Sequence, residues 1–299
     1  MDVLHQFPVR KSAKQKQAFR DAVQSYAEGL GYCVTVEEGR GGCRNVVMGN
    51  PKEADYLVTA HYDTPARLPF PNFATPCNRF LTVTKLVLTI LLFSCLGFTG
   101  GYLMGSGRVL PGIVLYSIPF IYVPLVLRGP ANPSNANDNT SGVVTVLETM
   151  RTMPENQRHK VCFVLFDLEE AGLIGSAAYR KAHKEETDQQ IVLNLDCVGD
   201  GDEILFMPTK TCRKDGEKLA WLYKVIGRYG DKTIDVREKG FTSYASDQKH
   251  FPNGVAIAAL HRNKWVGLYL SRIHTPKDTI LDETNVNILR AALTTLICQ

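Results

Sequence analysis

Apolar runs in this sequence end repeatedly in side chains that can bind a metal ion or transfer a proton. The clearest is the run VCFVLF at residues 161–166, after which come the adjacent acids Glu169 and Glu170. Two neighbouring glutamates repel each other unless a cation or a raised pKa relieves the repulsion. An arbitrary pair of this kind is more often part of a solvated turn, since charged residues are mostly exposed. The other candidates of the chain decide between these two interpretations.

Histidines and further acids stand in comparable positions elsewhere. The run at 56–60 ends in His61, and Asp63 follows two residues later. A metal-bound histidine usually donates its second N–H to a carboxylate, although a surface histidine with an incidental neighbour is an equal alternative for this pair alone. Three candidates remain. Asp196 follows the run 191–195, Asp138 precedes a predicted helix, and His274 lies in a polar loop near the end of the chain. Taken alone, the acid before the helix would be interpreted as a helix cap.

Together these residues match the ligand set of two divalent metal ions. Two imidazoles and three carboxylates, one of them bridging, satisfy such a pair and leave one further carboxylate free. Nitrogen and oxygen ligands without a thiolate suit zinc in a catalytic site, and manganese or cobalt also fits. A two-metal site polarises a carbonyl and activates water, and the free carboxylate then acts as general base. This pattern predicts a metal-dependent hydrolase.

The elements that must position these side chains alternate along the chain. Helices are predicted by amphipathic spacing and capping residues at 12–30, 135–152, 173–183, 217–228 and 284–298. Strands are predicted at 33–38, 44–48, 56–60, 161–166, 191–196 and 255–260. Continuous apolar strands are typical of a parallel sheet buried on both faces. The predicted fold is α/β, with three αβα layers and a mixed, mostly parallel central sheet, whose carboxyl ends would carry the site.

An apolar insert interrupts this pattern. Residues 86–107 and 109–127 contain no charged side chain, and each segment has about the 20 residues that a membrane-spanning helix needs. Only Gly105–Arg108 separates them, which favours a helical hairpin. Three prolines weaken the second segment as a straight helix, although membrane helices tolerate proline, and a buried apolar lid is the alternative. We therefore predict a discontinuous catalytic domain, 1–79 and 130–299, and a transmembrane hairpin at 80–128.

Composition limits the classes of partner. The 299 residues, with 44% hydrophobic and 21% charged side chains, describe a globular protein. A net charge of +4 without a basic run among aromatic residues predicts no nucleic-acid binding. The eight cysteines form no CxxC pair, and Cys162 and Cys197 are predicted inside core strands. Reduced thiols of this kind indicate a cytosolic environment. Oligomeric state is not predicted.

Charge near the insert predicts its orientation. Residues 1–19 lack the apolar segment of a cleavable signal peptide. The loop of the insert has one positive residue, Arg108. The domain side has four, which are Arg67, Arg79, Lys85 and Arg128. Because positive residues stay on the cytoplasmic side of membranes, the catalytic domain is predicted to be cytoplasmic.

Five motifs, taken in order, resemble those of a known family. The motifs are HYDT, NDNTSG, DLEEAGLIGS, NLDCVG and IHTPKDT. In order and in type of spacing they resemble the di-zinc aminopeptidases typified by secreted bacterial leucyl aminopeptidases, which are related to the transferrin receptor and to glutaminyl cyclases. The resemblance covers about residues 12–79 and 130–299 and leaves out the apolar insert. Each motif is weak alone, whereas the ordered set is specific.

The resemblance implies a role for each candidate. His61 and Asp196 would bind one Zn²⁺ ion, and Glu170 and His274 would bind a second. Asp138 would bridge the two ions. Glu169 would be the general base. Supporting roles are implied for Asp63 behind the first histidine, for Asn139 as the partner in a cis peptide bond, and for Asp247. Tyr244 lies near the sequence position at which some members have a tyrosine that helps stabilise the tetrahedral intermediate. Its spacing to Ser246-Asp247 is one residue shorter than in the family.

The resemblance implies a membrane-tethered metallo-aminopeptidase acting on peptides. One alternative is a glutaminyl cyclase-like acyltransferase, which uses one zinc ion and transfers no water. The sequence GLIGS after the glutamate pair, and Asn-Asp-Asn around the bridging acid, favour hydrolysis. A catalytically silent scaffold, as in the transferrin receptor, is the other alternative, and the presence of every expected ligand argues against it.

Overall fold

Ten strands form one mixed sheet in the computed structural model, which describes residues 1–68 and 72–298. The strands are β1 (Val34–Glu38), β2 (Arg44–Met48), β3 (Tyr56–His61), β4 (Val161–Phe166), β5 (Ile191–Leu195), β6 (Glu203–Pro208), β7 (Gly227–Tyr229), β8 (Lys232–Val236), β9 (Gly254–Asn263) and β10 (Gly267–Tyr269). The helices are α1 (Val3–Gln6), α2 (Ala13–Gly29), α3 (Arg79–Gly105), α4 (Val109–Arg128), α5 (Gly142–Thr152), α6 (Ile174–Ala182), α7 (Lys184–Gln189), α8 (Gly216–Tyr223) and α9 (Glu283–Ile297).

The centre of the sheet is parallel, and the strands on either side of it join in antiparallel pairs except for β6 and β8, which are parallel to each other. The strand order is β1-β2-β4-β3-β5-β9-β6-β8-β7, and β10 pairs with β9 outside this path. Strands β4, β3, β5 and β9 run parallel, whereas β2 joins β4, and β6 joins β9, in antiparallel pairs. The predicted α/β fold with a mixed central sheet is confirmed. The parallel centre brings the carboxyl ends of β3, β4 and β5 to one edge.

Helices cover both faces of the sheet, because successive residues of a strand point to opposite faces. In β4, Phe163 and Leu165 belong to the larger core, together with residues of α2, α5 and α9. Val164 and Phe166 belong to the smaller core, which includes Tyr179 of α6. Every residue of β4 is buried, as its uninterrupted apolar run predicts.

The region after β6 differs from the sequence prediction. The predicted helix 217–228 ends at Tyr223, and the short strand β7 begins at Gly227. Strand β7 pairs with β8, with Gly227 opposite Ile234. Helical spacing is a local signal, whereas an edge strand depends on a partner elsewhere in the chain. Strands β6, β8 and β10 were not predicted either, and Cys197 follows β5, with a φ of 58°, instead of lying within it.

Helices α3 and α4 form a hairpin whose apolar side chains are largely exposed. They contain 27 and 20 residues and are, by length and composition, apolar enough to cross a membrane. Helix α4 continues through Pro119 and Pro124. The most exposed apolar side chains of the hairpin are those of Phe80, Phe98, Tyr102 and Leu110.

The two hairpin helices meet at a pair of glycines. A Cβ atom on Gly100 would lie 2.7 Å from the backbone nitrogen of Tyr116 and 2.8 Å from the backbone oxygen of Gly112. The neighbouring Gly101 has nothing within 4 Å of the same position. Small residues allow close approach of helix backbones, which is a common basis of helix pairing in membranes.

Candidate metal centre

Three parallel strands and two loops bring the predicted ligands together. His61 is the last residue of β3, Glu170 follows β4, and Asp196 follows β5. Asp138 lies in the turn before α5, where its backbone is not helical, and His274 lies in the loop after β10. The ligand atoms of these residues form two groups, and within each group all of the ligand atoms lie within 4.8 Å of one another. Asp138 belongs to both groups. The two groups are His61–Asp138–Asp196 and Asp138–Glu170–His274.

The distances within these groups fit metal ions. One carboxylate oxygen of Asp138 lies 3.3 Å from Nε2 of His61, and the other lies 3.1 Å from Nε2 of His274. Nε2 of His61 is also 3.8 Å from Oδ1 of Asp196, and Nε2 of His274 is 3.7 Å from Oε2 of Glu170. Ligands bound at 2.0–2.1 Å around a tetrahedral zinc ion are about 3.3 Å apart. The residues therefore fit one divalent ion in each group.

Asp63 orients both sides of this arrangement. Nδ1 of His61 lies 3.3 Å from the backbone oxygen of Asp63 and 3.5 Å from its Oδ1, which leaves Nε2 directed at the ligand group. The Asp63 carboxylate also accepts hydrogen bonds from the backbone N–H groups of Glu169 and Glu170, at 3.0 and 3.2 Å. One buried acid thus fixes a histidine and the glutamate pair in relation to each other.

The turn that contains Asp138 is fixed by hydrogen bonds of its own residue Asn139 and of Asp278, which follows His274 in the same loop. The peptide bond between Asp138 and Asn139 is cis. The Asn139 side chain donates to the backbone oxygen of Leu195 at 2.9 Å and accepts from Cys197 N at 3.3 Å, which joins the turn to the end of β5. Asp278 accepts from the backbone N–H groups of Asn137 and Asp138 at 2.8 and 3.1 Å.

Arg10 joins two of the loops that carry candidate ligands. Its side chain is fully buried and donates to the backbone oxygen of Tyr62 at 2.6 Å and to Oγ1 of Thr140 at 3.1 Å. Burial lowers the pKa of Arg10 to about 10, while the charges of Asp63 and Asp138 oppose that shift. Sequence reasoning missed Arg10, because no local motif marks it. It also gave no role to Asp278, which stands inside the quoted IHTPKDT motif.

The acids of the centre lie close together, Asp138 and Asp196 buried and Glu169 and Glu170 half-buried, and the pKa values of Glu169, Glu170 and Asp138 are shifted. Burial raises the pKa of Glu169 well above its ordinary value and that of Glu170 to about 8. For Asp138, burial acts in the same direction, but hydrogen bonds from His274 and His61 keep its pKa below the ordinary value. Buried charges of one sign are costly unless they are paired. The cluster is therefore suited to hold cations.

The other predicted residues surround this centre. Glu169 lies within 4.8 Å of His61 and Glu170, measured between ligand atoms. The Tyr244 hydroxyl donates to the backbone oxygen of Asp196 at 2.9 Å. Asp247 is buried outside the metal-ligand groups, and its negative charge contributes to the raised pKa of Glu169.

A cavity of about 270 Å³ opens over the centre. It is lined by the ligand candidates together with Glu169 and Tyr244. The cavity is also lined by residues 73–76 and, from the first turns of α3, by Thr82 and Lys85. The base of the apolar hairpin therefore lines the same cavity as the candidate metal ligands.

Comparisons with known proteins give one family. The model for peptidase family M28 matches residues 121–296. Leucine aminopeptidase 1 of Ajellomyces dermatitidis is 27% identical over 177 residues, which cover 54% of this chain and 44% of that protein. The corresponding protein of Paracoccidioides brasiliensis is 26% identical, with 54% and 43% covered. The match thus spans less than half the length of these curated relatives.

Solved structures of two kinds share the fold. The LapA aminopeptidase of Legionella pneumophila superposes with a TM-score of 0.56 at 15% identity, covering 98% of this chain and 66% of that one. The glutaminyl cyclase of Tannerella forsythia superposes with a TM-score of 0.58 at 15% identity, covering 97% and 93%. At such identities the likeness shows the fold alone.

Proposed function

Because the chain belongs to peptidase family M28, we propose that it is a metallo-aminopeptidase that removes N-terminal residues from peptides. The observation that carries this proposal is the position of Asp138, whose two carboxylate oxygens face His61 and His274 at 3.3 and 3.1 Å. A carboxylate between two histidines, each with a further acid beside it, is the arrangement that two bridged divalent ions require.

We assign the ligands accordingly. His61 and Asp196 would hold one ion, Glu170 and His274 the other, and Asp138 would bridge them. The nitrogen and oxygen donors favour Zn²⁺, and Mn²⁺ or Co²⁺ would also suit them. When bound, such a pair of ions polarises the peptide carbonyl and lowers the pKa of water to near neutrality.

The remaining side chains would move the protons. Glu169 would accept a proton from the attacking water and pass it to the nitrogen of the leaving amine. Asp63 would keep Glu169 in place through the backbone N–H of that residue. Tyr244 would contact the oxygen that becomes negative, after its hydroxyl turns away from the backbone oxygen of Asp196. Asn139 and Asp247 would support the ligands from outside.

The hairpin would anchor the enzyme in a membrane. Helix α4, with 20 residues, is about 30 Å long, which equals the thickness of a bilayer's hydrocarbon core. The segments that enter and leave the hairpin are joined at its base: Arg67 donates to the backbone oxygen of Pro130 at 2.8 Å, and Asn132 donates to that of Pro65 at 2.9 Å. These contacts support an insert, 80–128, within one catalytic domain, 1–79 and 130–299.

Metal content and turnover test the proposal together. We expect two equivalents of metal per chain in protein purified with Zn²⁺ and dialysed, and cleavage of aminoacyl fluorogenic amides that a chelator abolishes and Zn²⁺ restores. One equivalent, with cyclisation of an N-terminal glutamine, would indicate a glutaminyl cyclase instead. No bound metal and no turnover would indicate a silent scaffold.

A further inference from the structure

A single lysine faces the cavity above the metal centre. Among the described residues that line the cavity, Lys85 is the one lysine or arginine, whereas the acids that line it all belong to the metal centre: Asp138, Glu169, Glu170 and Asp196. Once two divalent ions neutralise those acids, the charge that remains among the described lining residues is that of Lys85. The cavity would then favour a ligand that carries a negative group near Lys85.

Lys85 has no acidic partner of its own. Its Nζ donates to the backbone oxygen of Phe73 at 2.8 Å. None of the ion pairs formed by the described residues includes Lys85, although other lysines of the chain, such as Lys16 and Lys232, pair with aspartates. An ammonium group carries three donors, so two remain for a ligand. A lysine held beside a catalytic cavity with free donors is suited to bind a carboxylate.

The wall that holds Lys85 is itself fixed to the sheet. The Phe73 ring stacks on Tyr269 of β10, with centroids 5.4 Å apart. Ala74 and Leu270 exchange backbone hydrogen bonds at 2.9 Å. The Lys85 ammonium is therefore directed by backbone that is attached to the same strand from which the His274 loop continues. Such preorganisation favours binding, because less side-chain freedom is lost.

We propose that Lys85 binds a carboxylate of the substrate, so that the enzyme prefers dipeptides and other short peptides whose carboxylate reaches it. This inference rests on the proposed aminopeptidase function and adds a substrate class to it. The cavity, at about 270 Å³, is at the small end of ligand pockets, which suits a short peptide. The carboxylate has two sources: the C-terminus of a dipeptide, or the side chain of an acidic residue next to the scissile bond.

Steady-state kinetics of the full chain with Zn²⁺ test this assignment. The substrates are Leu-Ala, its amide Leu-Ala-NH₂, and Leu-Glu-NH₂, which separate the C-terminal carboxylate from the side-chain one. The variants are Lys85→Gln and Lys85→Arg. Arg79→Gln is the matched control, because Arg79 is an exposed cation of the same helix that does not line the cavity.

We expect Lys85→Gln to raise KM for Leu-Ala by roughly 10- to 100-fold, the range of a hydrogen bond between charged groups, with kcat little changed. The KM for Leu-Ala-NH₂ should not change, Lys85→Arg should retain most of the affinity, and Arg79→Gln should behave as the unaltered enzyme. A selective loss with Leu-Glu-NH₂ instead would assign the side-chain carboxylate to Lys85.

Two failures remain distinguishable. Equal KM values for acid and amide in the unaltered enzyme, or an equal rise for both in Lys85→Gln, would overturn the Lys85 assignment and leave the aminopeptidase intact. An absence of turnover with every peptide and with aminoacyl amides, in protein that contains metal, would overturn the proposed function and this assignment with it.

Discussion

The two adjacent glutamates of the metal centre differ in what they face. Glu170 approaches His274, at 3.7 Å, and belongs to the group that contains Asp138. Glu169 shares a group with His61 and Glu170 but does not take part in either group around Asp138. The backbone N–H groups of both glutamates donate to the carboxylate of Asp63. Asp63 therefore positions two acids with different proposed roles, Glu170 as a metal ligand and Glu169 as the general base.

Replacing Glu169 separates those roles. We expect Glu169→Gln to keep both metal ions and to lower kcat by at least about 10²–10⁴-fold, the usual contribution of general-base catalysis. Glu170→Gln should instead lower metal content at one site, because it removes a ligand charge. Metal analysis beside kcat measures both effects. A Glu169→Gln protein that lacks one ion would reverse the two assignments.

Replacing Asp138 tests the bridge. We expect Asp138→Ala to lower the occupancy of both metal sites together, and His61→Ala to affect mainly one, as measured by metal content per chain. A helix cap would instead predict a loss of about 1 kcal/mol in the free energy of unfolding with metal content unchanged. No backbone N–H donates to the Asp138 side chain among the hydrogen bonds of the described residues, so the structure does not support the cap.

Sequence reasoning identified residues that carry their own chemistry and missed those that act through geometry. His61 and Asp196 are visible because each ends an apolar run, and parallel strands bring such ends together. Arg10 gives no such signal, since its role depends on a carbonyl at Tyr62 and a hydroxyl at Thr140, far along the chain. Contacts of that range exist only after the fold is formed.

At the scale of elements, the signals that succeeded were internal to one segment. Helix α2 has a capping box between Ser12 and Gln15, and strand β4 is buried from end to end, so both were predictable from their own residues. Strand β7 has three residues and exists only as a partner of β8. Its sequence alone favours the helix that precedes it.

The hairpin offers a matched pair of glycines for a test of helix packing. We expect Gly100→Leu to lower the free energy of unfolding in detergent by about 1–3 kcal/mol, the cost of overpacking, because its side chain would meet the backbone of α4. Gly101→Leu should cost nothing comparable, since the space beside Gly101 is open. Denaturation monitored by circular dichroism compares the two variants. Equal effects would argue against close packing at Gly100.

At the scale of the whole molecule, the proposed anchor implies an orientation. Positive residues on the domain side of the hairpin, against Arg108 in its loop, favour a cytoplasmic catalytic domain. We expect protease to digest this domain in inside-out membrane vesicles and to spare it in right-side-out vesicles. A tag inserted after Ser106 in the loop should show the opposite pattern. Protection of the domain in inside-out vesicles would falsify this topology.

Because the proposed anchor and the cavity share a wall, the proposed enzyme would respond to hydrophobic mismatch between the hairpin and the bilayer. A bilayer thicker or thinner than about 30 Å is accommodated partly by a change in helix tilt. Lys85 lies on α3, whereas Phe73, which accepts its hydrogen bond, is attached to the sheet, so tilting α3 would break that contact and draw the ammonium away from the candidate metal ligands. In nanodiscs of short-, intermediate- and long-chain lipids, we expect KM for Leu-Ala to be lowest at the matched thickness, with metal content constant. The Lys85→Gln variant should lose that dependence, so bilayer thickness itself would set peptide affinity.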